Sequence, residues 1–326
     1  MEALKAIESL GQKHFGGAVA VAPLLGDGSD RRLFRVIRAE ERAVGVWNRD
    51  LQENQDFLVI TEAMHRLGIP VPQVYCANED QSAYLLEDLG EENLAQMLVR
   101  WQTAGDQAAI LGAYTQALDW LPRIQTGLAK LLGPRLKDRQ MDRAALLADL
   151  DYFEQHFVQL FGHQAAYRPQ LRAELERELV GPVAALPVEV FVCRDFQARN
   201  FMYPQGKIHF LDYQSAMLGN KYYDLASMLY ASKAFLTDRH RKLLLYHAYQ
   251  KLKDEGESKD LFEDRFTRVL LLRRLRSLGS YGYLGAVKKK RGFLESLSPA
   301  KDEILTLAES RRGTLPELIA FLRGLG

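Results

Sequence analysis

Residues 192–214 read VCRDFQARNFMYPQGKIHFLDYQ, with Asp195 followed five positions on by Asn200 and a second aspartate, Asp212, after a short apolar run. Phosphoryl transfer from ATP asks little covalent chemistry of a protein. It needs hard oxygen ligands for Mg²⁺, a carboxylate that orients or deprotonates the acceptor hydroxyl, and amides over the phosphates. This stretch offers those types, with Asp195 as the base and Asn200 and Asp212 as the metal ligands. Asp and Asn are also common at turns, where they hydrogen-bond nearby backbone. The spacing, the flanking β-like runs VEVFVCRD and KIHFLDY, and the following aspartate together favour the chemical role. A turn containing Pro204 and Gly206 separates the two runs, so the pattern predicts a hairpin that carries the motif.

A second stretch, LLGDGSDRRLF, sets Gly26 and Gly28 in a turn between two strand-like runs, where backbone N–H groups would lie over phosphates with Ser29 helping. Glycine pairs also serve plain hairpins, because they supply the positive φ such turns need. YLLEDLG, residues 84–90, ends a strand where the composition changes; its backbone near Glu87 would meet an adenine edge, or serve as an ordinary connector. NKYYDLASML places Asp224 at a helix start, where it would either touch the catalytic loop or, as the favoured structural reading has it, cap or steady the helix end, and it is left out of the catalytic set. The seven histidines show neither HxxxH nor HExxH spacing, so His65, His209 and His247 are surface or packing residues rather than zinc ligands.

The elements that must position these groups change character along the chain. The first ninety or so residues alternate strand-like runs with one helical pattern, QENQDFLVITEAMHRLG, in which Phe57, Ile60, Thr61, Met64 and Leu67 share a face. That predicts a small antiparallel sheet carrying one helix. From about Asn93 helical patterns dominate, as over 108–118 and 144–161 and again after Tyr222. The change near 87–90 divides the chain into a nucleotide-binding lobe, 1–88, and a catalytic and substrate-binding lobe, 89–326.

Bulk properties narrow the partners. A net charge of +1 provides no field for drawing in nucleic acid or an acidic membrane, and the longest apolar runs are too short to cross a bilayer. The interleaved leucines of RVLLLRRLRSL suggest a helix buried on one side with basic stems along its flanks. Two distant cysteines, Cys76 and Cys193, fit a reducing compartment, and the N-terminus reads as a short amphipathic helix rather than a signal peptide. The expectation is a cytoplasmic protein acting on a small molecule.

The motifs resemble the aminoglycoside phosphotransferase and choline kinase superfamily. CRDFQARN corresponds to its H-x-D-x-x-x-x-N loop, FLDYQSA to its metal strand, and YYDLASML to its Y-D-L-A-type helix start. Within it, SDRRLFRV, LDYQSA and LGSYGYLG are similar to the bacterial branch of anomeric kinases of N-acetylmuramic acid and N-acetylglucosamine. The resemblance implies an α+β, two-lobed protein-kinase-like fold, with a small antiparallel β-rich lobe and a larger, mainly helical one. It also implies ATP and Mg²⁺ as cofactors and transfer of the γ-phosphate to a sugar hydroxyl, of an amino sugar and at the anomeric position. Asp195 would be the base, and Asn200 and Asp212 the metal ligands.

Two features depart from the family pattern. Cys193 stands where the loop histidine is usual, and RAVGVWNRD has Trp47 and Asn48 where a β3 lysine is expected. Arg32 or Arg35 would reach the phosphates instead, with Glu53 as partner to such an arginine. Two alternatives stay open: a kinase of a cationic alcohol such as an aminoglycoside, a choline-like compound or homoserine, and a nucleotide-binding pseudokinase.

Overall fold

The computed structural model describes residues 2–24, 31–164, 166–231, 234–311 and 313–325. The chain forms two compact units, Met1–Leu132 with Ala198–Ala216, and Gly133–Gln197 with Met217–Gly326.

In the first unit the helix α1 (Glu2–Phe15) leads into the strands β1 (Ala20–Leu24), β2 (Arg32–Arg38) and β3 (Glu41–Trp47). The helix α2 (Leu51–Arg66) and the strands β4 (Val74–Ala77) and β5 (Ala83–Glu87) follow. The strands form one antiparallel sheet in the order β1-β2-β3-β5-β4. Side chains alternate across a strand, and the alternation here is apolar on both sides. Phe34, Val36, Ala43, Trp47, Ala83 and Leu85 face α1 and pack with its Ala3, Ile7 and Leu10. Gly45 completes that face, because a Cβ there would come within 2.5 Å of Ile7 Cγ2. The opposite face carries Leu33, Val44, Val46, Tyr84 and Leu86, which line a cavity. Asp50 caps α2 by accepting from the Glu53 N–H, and this fixes where Glu53 emerges.

The expected sheet and its helix are thus present, with α1 added as a second helix on the sheet. The hairpin expected between VEVFVCRD and KIHFLDY does not form. Instead β6 (Val190–Val192) belongs to the second unit and pairs there with β9 (Met217–Gly219), while β7 (Phe201–Met202) pairs with β8 (His209–Phe210) in the first unit. The cause is local. Arg194 has φ of +73° and residues 198–200 close a 3-10 turn, so the chain after β6 cannot continue as a strand. Gly219 lets β9 lie against Val192, since a Cβ there would sit 2.9 Å from Val192 Cγ2.

The second unit is mainly helical. Its long helix Lys259–Gly282 packs against the helix Arg143–Phe153 and the π-helical turn Glu154–Gln159 that continues it. The glycines of LGSYGYLG allow this approach: a Cβ on Gly279 would lie 2.8 Å from the Tyr152 carbonyl oxygen, and one on Gly282 only 2.0 Å from that of His156. Among the described residues no helix is long and apolar enough to cross a membrane.

Gly282 meets backbone, which cannot rotate away, whereas Gly112, inside the helix Gln107–Pro122, has nothing within 4 Å of its Cβ position. Gly282→Ala is therefore expected to destabilise by about 1–3 kcal/mol. Gly112→Ala should be neutral or stabilise by about 0.5–1 kcal/mol through helix propensity. Melting temperatures of the two variants check the pair; equal shifts would contradict the packing described for the long helix.

Candidate active site

In the first unit the segment Leu211-Asp212-Tyr213-Gln214 is fixed residue by residue. Tyr213 is buried, its ring stacked on Phe57 of α2 at 5.1 Å between centroids, and Phe57 in turn stacks on Tyr84 of β5 at 5.4 Å. The Tyr213 and Thr61 hydroxyls share a hydrogen bond of 2.7 Å. The Leu211 N–H donates to the Asn200 carbonyl at 2.9 Å, which ties the end of the motif loop to the strand that returns. Asp212 then sits at φ +62°, a left-handed conformation that a non-glycine residue holds only where its surroundings impose it.

The Asp212 carboxylate collects three donors. Arg31 Nη2 lies 2.5 Å from Oδ1, Gln214 Nε2 donates to Oδ1 at 2.9 Å, and Asn200 Nδ2 donates to Oδ2 at 3.2 Å. Gln214 also donates to Glu53 Oε1 at 3.1 Å, Arg31 Nε lies 3.7 Å from that oxygen, and Asn48 donates to Glu53 Oε2 at 2.6 Å. Burial lowers the Arg31 pKa, but the charge and hydrogen bond of Asp212, with Glu53 behind, outweigh it and raise the value. Asn200, Asp212 and Arg31 all line the apolar cavity of about 280 Å³, together with Leu33, Val46 and Leu86.

Arg32 and Arg35 are placed elsewhere. Arg32 points to the other side of β2, its guanidinium 5.5 Å from the centre of the Trp47 ring. Arg35 shares the cavity side of the strand but is ion-paired with Asp88 at 2.9 Å and Glu91 at 2.7 Å. The pairing expected between Glu53 and one of these two is thus corrected: Arg31, two residues before Leu33 on the same alternation, is the arginine at Glu53. Glu87 ends β5, its N–H donating to the Gln73 carbonyl at 2.8 Å, and residues 87–90 line the cavity. Gly26, Gly28 and Ser29 lie outside the described residues.

Asp195 belongs to the second unit, where Gln197 Nε2 donates to its Oδ1 at 3.3 Å. The backbone leading to it is held from below by Asp224, which is fully buried and accepts from the Cys193 N–H at 2.7 Å and the Arg194 N–H at 3.0 Å. Ser227 Oγ donates to the Arg194 carbonyl at 3.2 Å and accepts from Arg273 Nη2 at 2.5 Å. Of the two readings of Asp224, contact with this loop is the one the structure shows, and the favoured helix-end role gives way to it. Burial raises the Asp224 pKa to about 7, the two amide hydrogen bonds and Arg273 acting in the opposite direction. Burial, then the Asp224 charge, also raises the Cys193 thiol well above its ordinary range, so Cys193 packs and stays protonated. Arg276 is ion-paired with Asp149 at 2.6 Å and feels the charge of Asp195.

No group of three or more His, Cys, Asp or Glu side chains among the described residues is arranged to hold a metal ion. Asn200 and Asp212 supply one amide oxygen and one carboxylate, both hard donors on adjoining side chains. That set would suit Mg²⁺, a hard cation that prefers oxygen ligands.

A curated relative, the N-acetylmuramate/N-acetylglucosamine kinase of Neisseria meningitidis serogroup B, is 30% identical over 163 residues. That match spans 49% of this chain and 46% of the relative, about half of each. Among solved structures, choline kinase LicA from Streptococcus pneumoniae superposes with a TM-score of 0.63 at 15% identity, covering 94% of this chain and 100% of that one. A thermostable mutant of aminoglycoside phosphotransferase APH(4)-Ia, in ternary complex with AMP-PNP and hygromycin B, gives 0.59 at 16% identity, covering 94% and 99%. These structural likenesses show the α+β, protein-kinase-like fold. The profile of the phosphotransferase enzyme family matches residues 21–254, most of the chain, and the protein belongs to that family.

Proposed function

We propose that the protein is an ATP- and Mg²⁺-dependent kinase that transfers the γ-phosphate to a hydroxyl of an amino sugar of the N-acetylmuramate or N-acetylglucosamine type, with the anomeric hydroxyl as acceptor. The observation that carries this reading is the joining of Asn200, Asp212 and Arg31, with Glu53 behind Arg31, at one cavity whose other walls are mostly apolar, among them Leu33, Val44, Val46, Phe57 and Leu86. An adenine suits such walls, and residues 87–90 offer it a backbone edge. AMP-PNP in the aminoglycoside phosphotransferase and the sugar-kinase name of the curated relative support ATP and an amino sugar respectively. Residues 1–88 would form the nucleotide-binding lobe, with Gly26, Gly28 and Ser29 over the phosphates, and 89–326 the catalytic and substrate-binding lobe. Residence in the cytoplasm accords with the two unpaired cysteines.

Within this reading each side chain has a task. Asn200 and Asp212 would hold Mg²⁺, which when bound offsets negative charge on the phosphates. Asp195 accepts the hydroxyl proton and orients the attacking oxygen. Asp224 and Ser227 keep the backbone before Asp195 in its left-handed turn. The surroundings of Asp195 bear on the acceptor as well. Arg276 takes the Asp149 carboxylate and Asp224 is spent on backbone amides, while Arg273 and Arg194 have no ion-pair partner among the described residues. That balance supports a neutral or acidic acceptor over a polycation, which would need several uncommitted carboxylates.

Phosphorus NMR of ATP with a panel of N-acetylated amino sugars, aminoglycosides and amino alcohols is expected to give a new phosphate ester with the amino sugars and none with the aminoglycosides. Asp195→Ala should lower turnover by roughly 10²–10⁴-fold while nucleotide binding persists. Transfer only to the cationic acceptors, or full turnover in that variant, would overturn the assignment.

Asp224 makes the reaction pH-dependent in a direction that can be worked out. Its carboxyl titrates at about 7 in the folded protein against an ordinary 3.8, so the stability this site contributes is full below 3.8 and is lost as the pH rises through about 7. The ionised form, however, is the better acceptor for the Cys193 and Arg194 amides. Turnover should therefore fall as the pH drops below about 7, while the melting temperature gains from this site over the same range. In Asp224→Asn both dependences should flatten, and pH–rate profiles with melting curves of the two proteins check this.

A further inference from the structure

The family's β3 lysine is absent, and β3 here, ERAVGVW, places Val44 and Val46 on the cavity side. A nucleotide in that cavity still brings phosphates that need a cation on the sheet. On the neighbouring strand the cavity-side alternation runs Arg31, Leu33, Arg35, and Arg35 is engaged by both Asp88 and Glu91. Arg31 also lies between two carboxylates, Glu53 of α2 and Asp212, but unlike Arg35 it lines the cavity, beside Asn200 and Asp212.

We infer that Arg31 replaces the missing lysine as the cation that binds the nucleotide phosphates, and that its contact with Asp212 is the resting arrangement that a phosphate displaces. This rests on the nucleotide reading of the cavity given above. The chemistry of the exchange is matched: a carboxylate and a phosphate both present oxygens that a guanidinium can bind in a forked, charge-assisted pair. Asp212 Oδ1 thus stands in for a phosphate oxygen. Glu53 does not leave in the exchange, because Asn48 at 2.6 Å and Gln214 at 3.1 Å hold it independently of Arg31. It keeps the guanidinium aimed at the cavity while the second partner changes. Once Arg31 turns to the phosphate, the Oδ1 oxygen of Asp212 keeps the Gln214 donor and is open to a new ligand. The same residue that binds the nucleotide thereby releases the carboxylate the reaction uses.

The test separates phosphate recognition from everything else by comparing ADP with adenosine, measured by titration calorimetry in the presence of a chelator so that no metal contributes. For Arg31→Gln, ADP affinity is expected to fall at least about tenfold, while adenosine affinity stays within roughly twofold of the unaltered protein. Arg31→Lys should recover part of the loss for ADP, since it keeps the charge without the fork. Equal ADP affinity in Arg31→Gln would overturn the inference and leave the kinase reading standing. An equal loss for ADP and adenosine would assign Arg31 a merely structural role, and the inference would fail. If the unaltered protein binds neither probe, the nucleotide reading of the cavity fails first and the inference with it.

Discussion

A carboxylate drawn partly out of water beside an apolar cavity must be compensated, and the way Asp212 is compensated organises the first unit around it. The desolvation cost of such a group is several kcal/mol by order of magnitude, more than the stacking of Phe57 between Tyr84 and Tyr213 could offset alone. Arg31, Gln214 and Asn200 meet it with three donors, and each comes from a different stretch of chain. Strand β2, the motif loop and the segment after β8 are therefore held in register by one side chain. The left-handed backbone at Asp212 is sustained by its neighbours, with Tyr213 locked in the core on one side and the Leu211 amide bonded to Asn200 on the other.

The second unit solves the equivalent problem for Asp195 with a different device. Arg194 also carries positive φ, and a fully buried Asp224 accepts from two successive amides to hold it there. Charge in that neighbourhood is shared out closely: Arg276 with Asp149, Arg273 on Ser227 and over the Tyr223 ring at 5.6 Å. The long helix that carries both arginines depends on Gly279 for its approach to the Arg143–Phe153 helix and on Gly282 for its approach to the turn Glu154–Gln159. Packing far from Asp195 in sequence thus decides where its electrostatic neighbours stand.

Much of this was legible in the sequence because it is written in short-range patterns. The two-residue alternation of β2, β3 and β5 and the helical spacing of α2 act over a few residues, and each appears in the structure as the pattern predicts. The partners of the strands were not legible. VEVFVC pairs with residues 217–219 and FM with HF, pairings set by a loop conformation and by a glycine contact that leave no periodic signal. The arginine at Glu53 was within reach: counting back by two from Leu33 lands on Arg31, whereas Arg32 falls on the Trp47 side. Asp224 and Gln214 were harder, because a helix-start aspartate and a strand-end glutamine are ordinary in isolation. Only the three-dimensional bonds to Cys193, Arg194, Glu53 and Asp212 give them a role.

The central claim is that Asp212, held by its donors at the cavity, becomes a metal ligand when nucleotide is present. Electron paramagnetic resonance of Mn²⁺, used as a probe for Mg²⁺, tests it directly with ADP and the protein in the same sample. The account predicts that the unaltered protein with ADP immobilises Mn²⁺ well beyond what ADP alone does, and that Asp212→Asn loses most of that immobilisation. An Asp212→Asn protein that still binds ADP and holds Mn²⁺ as firmly as the unaltered one would contradict it.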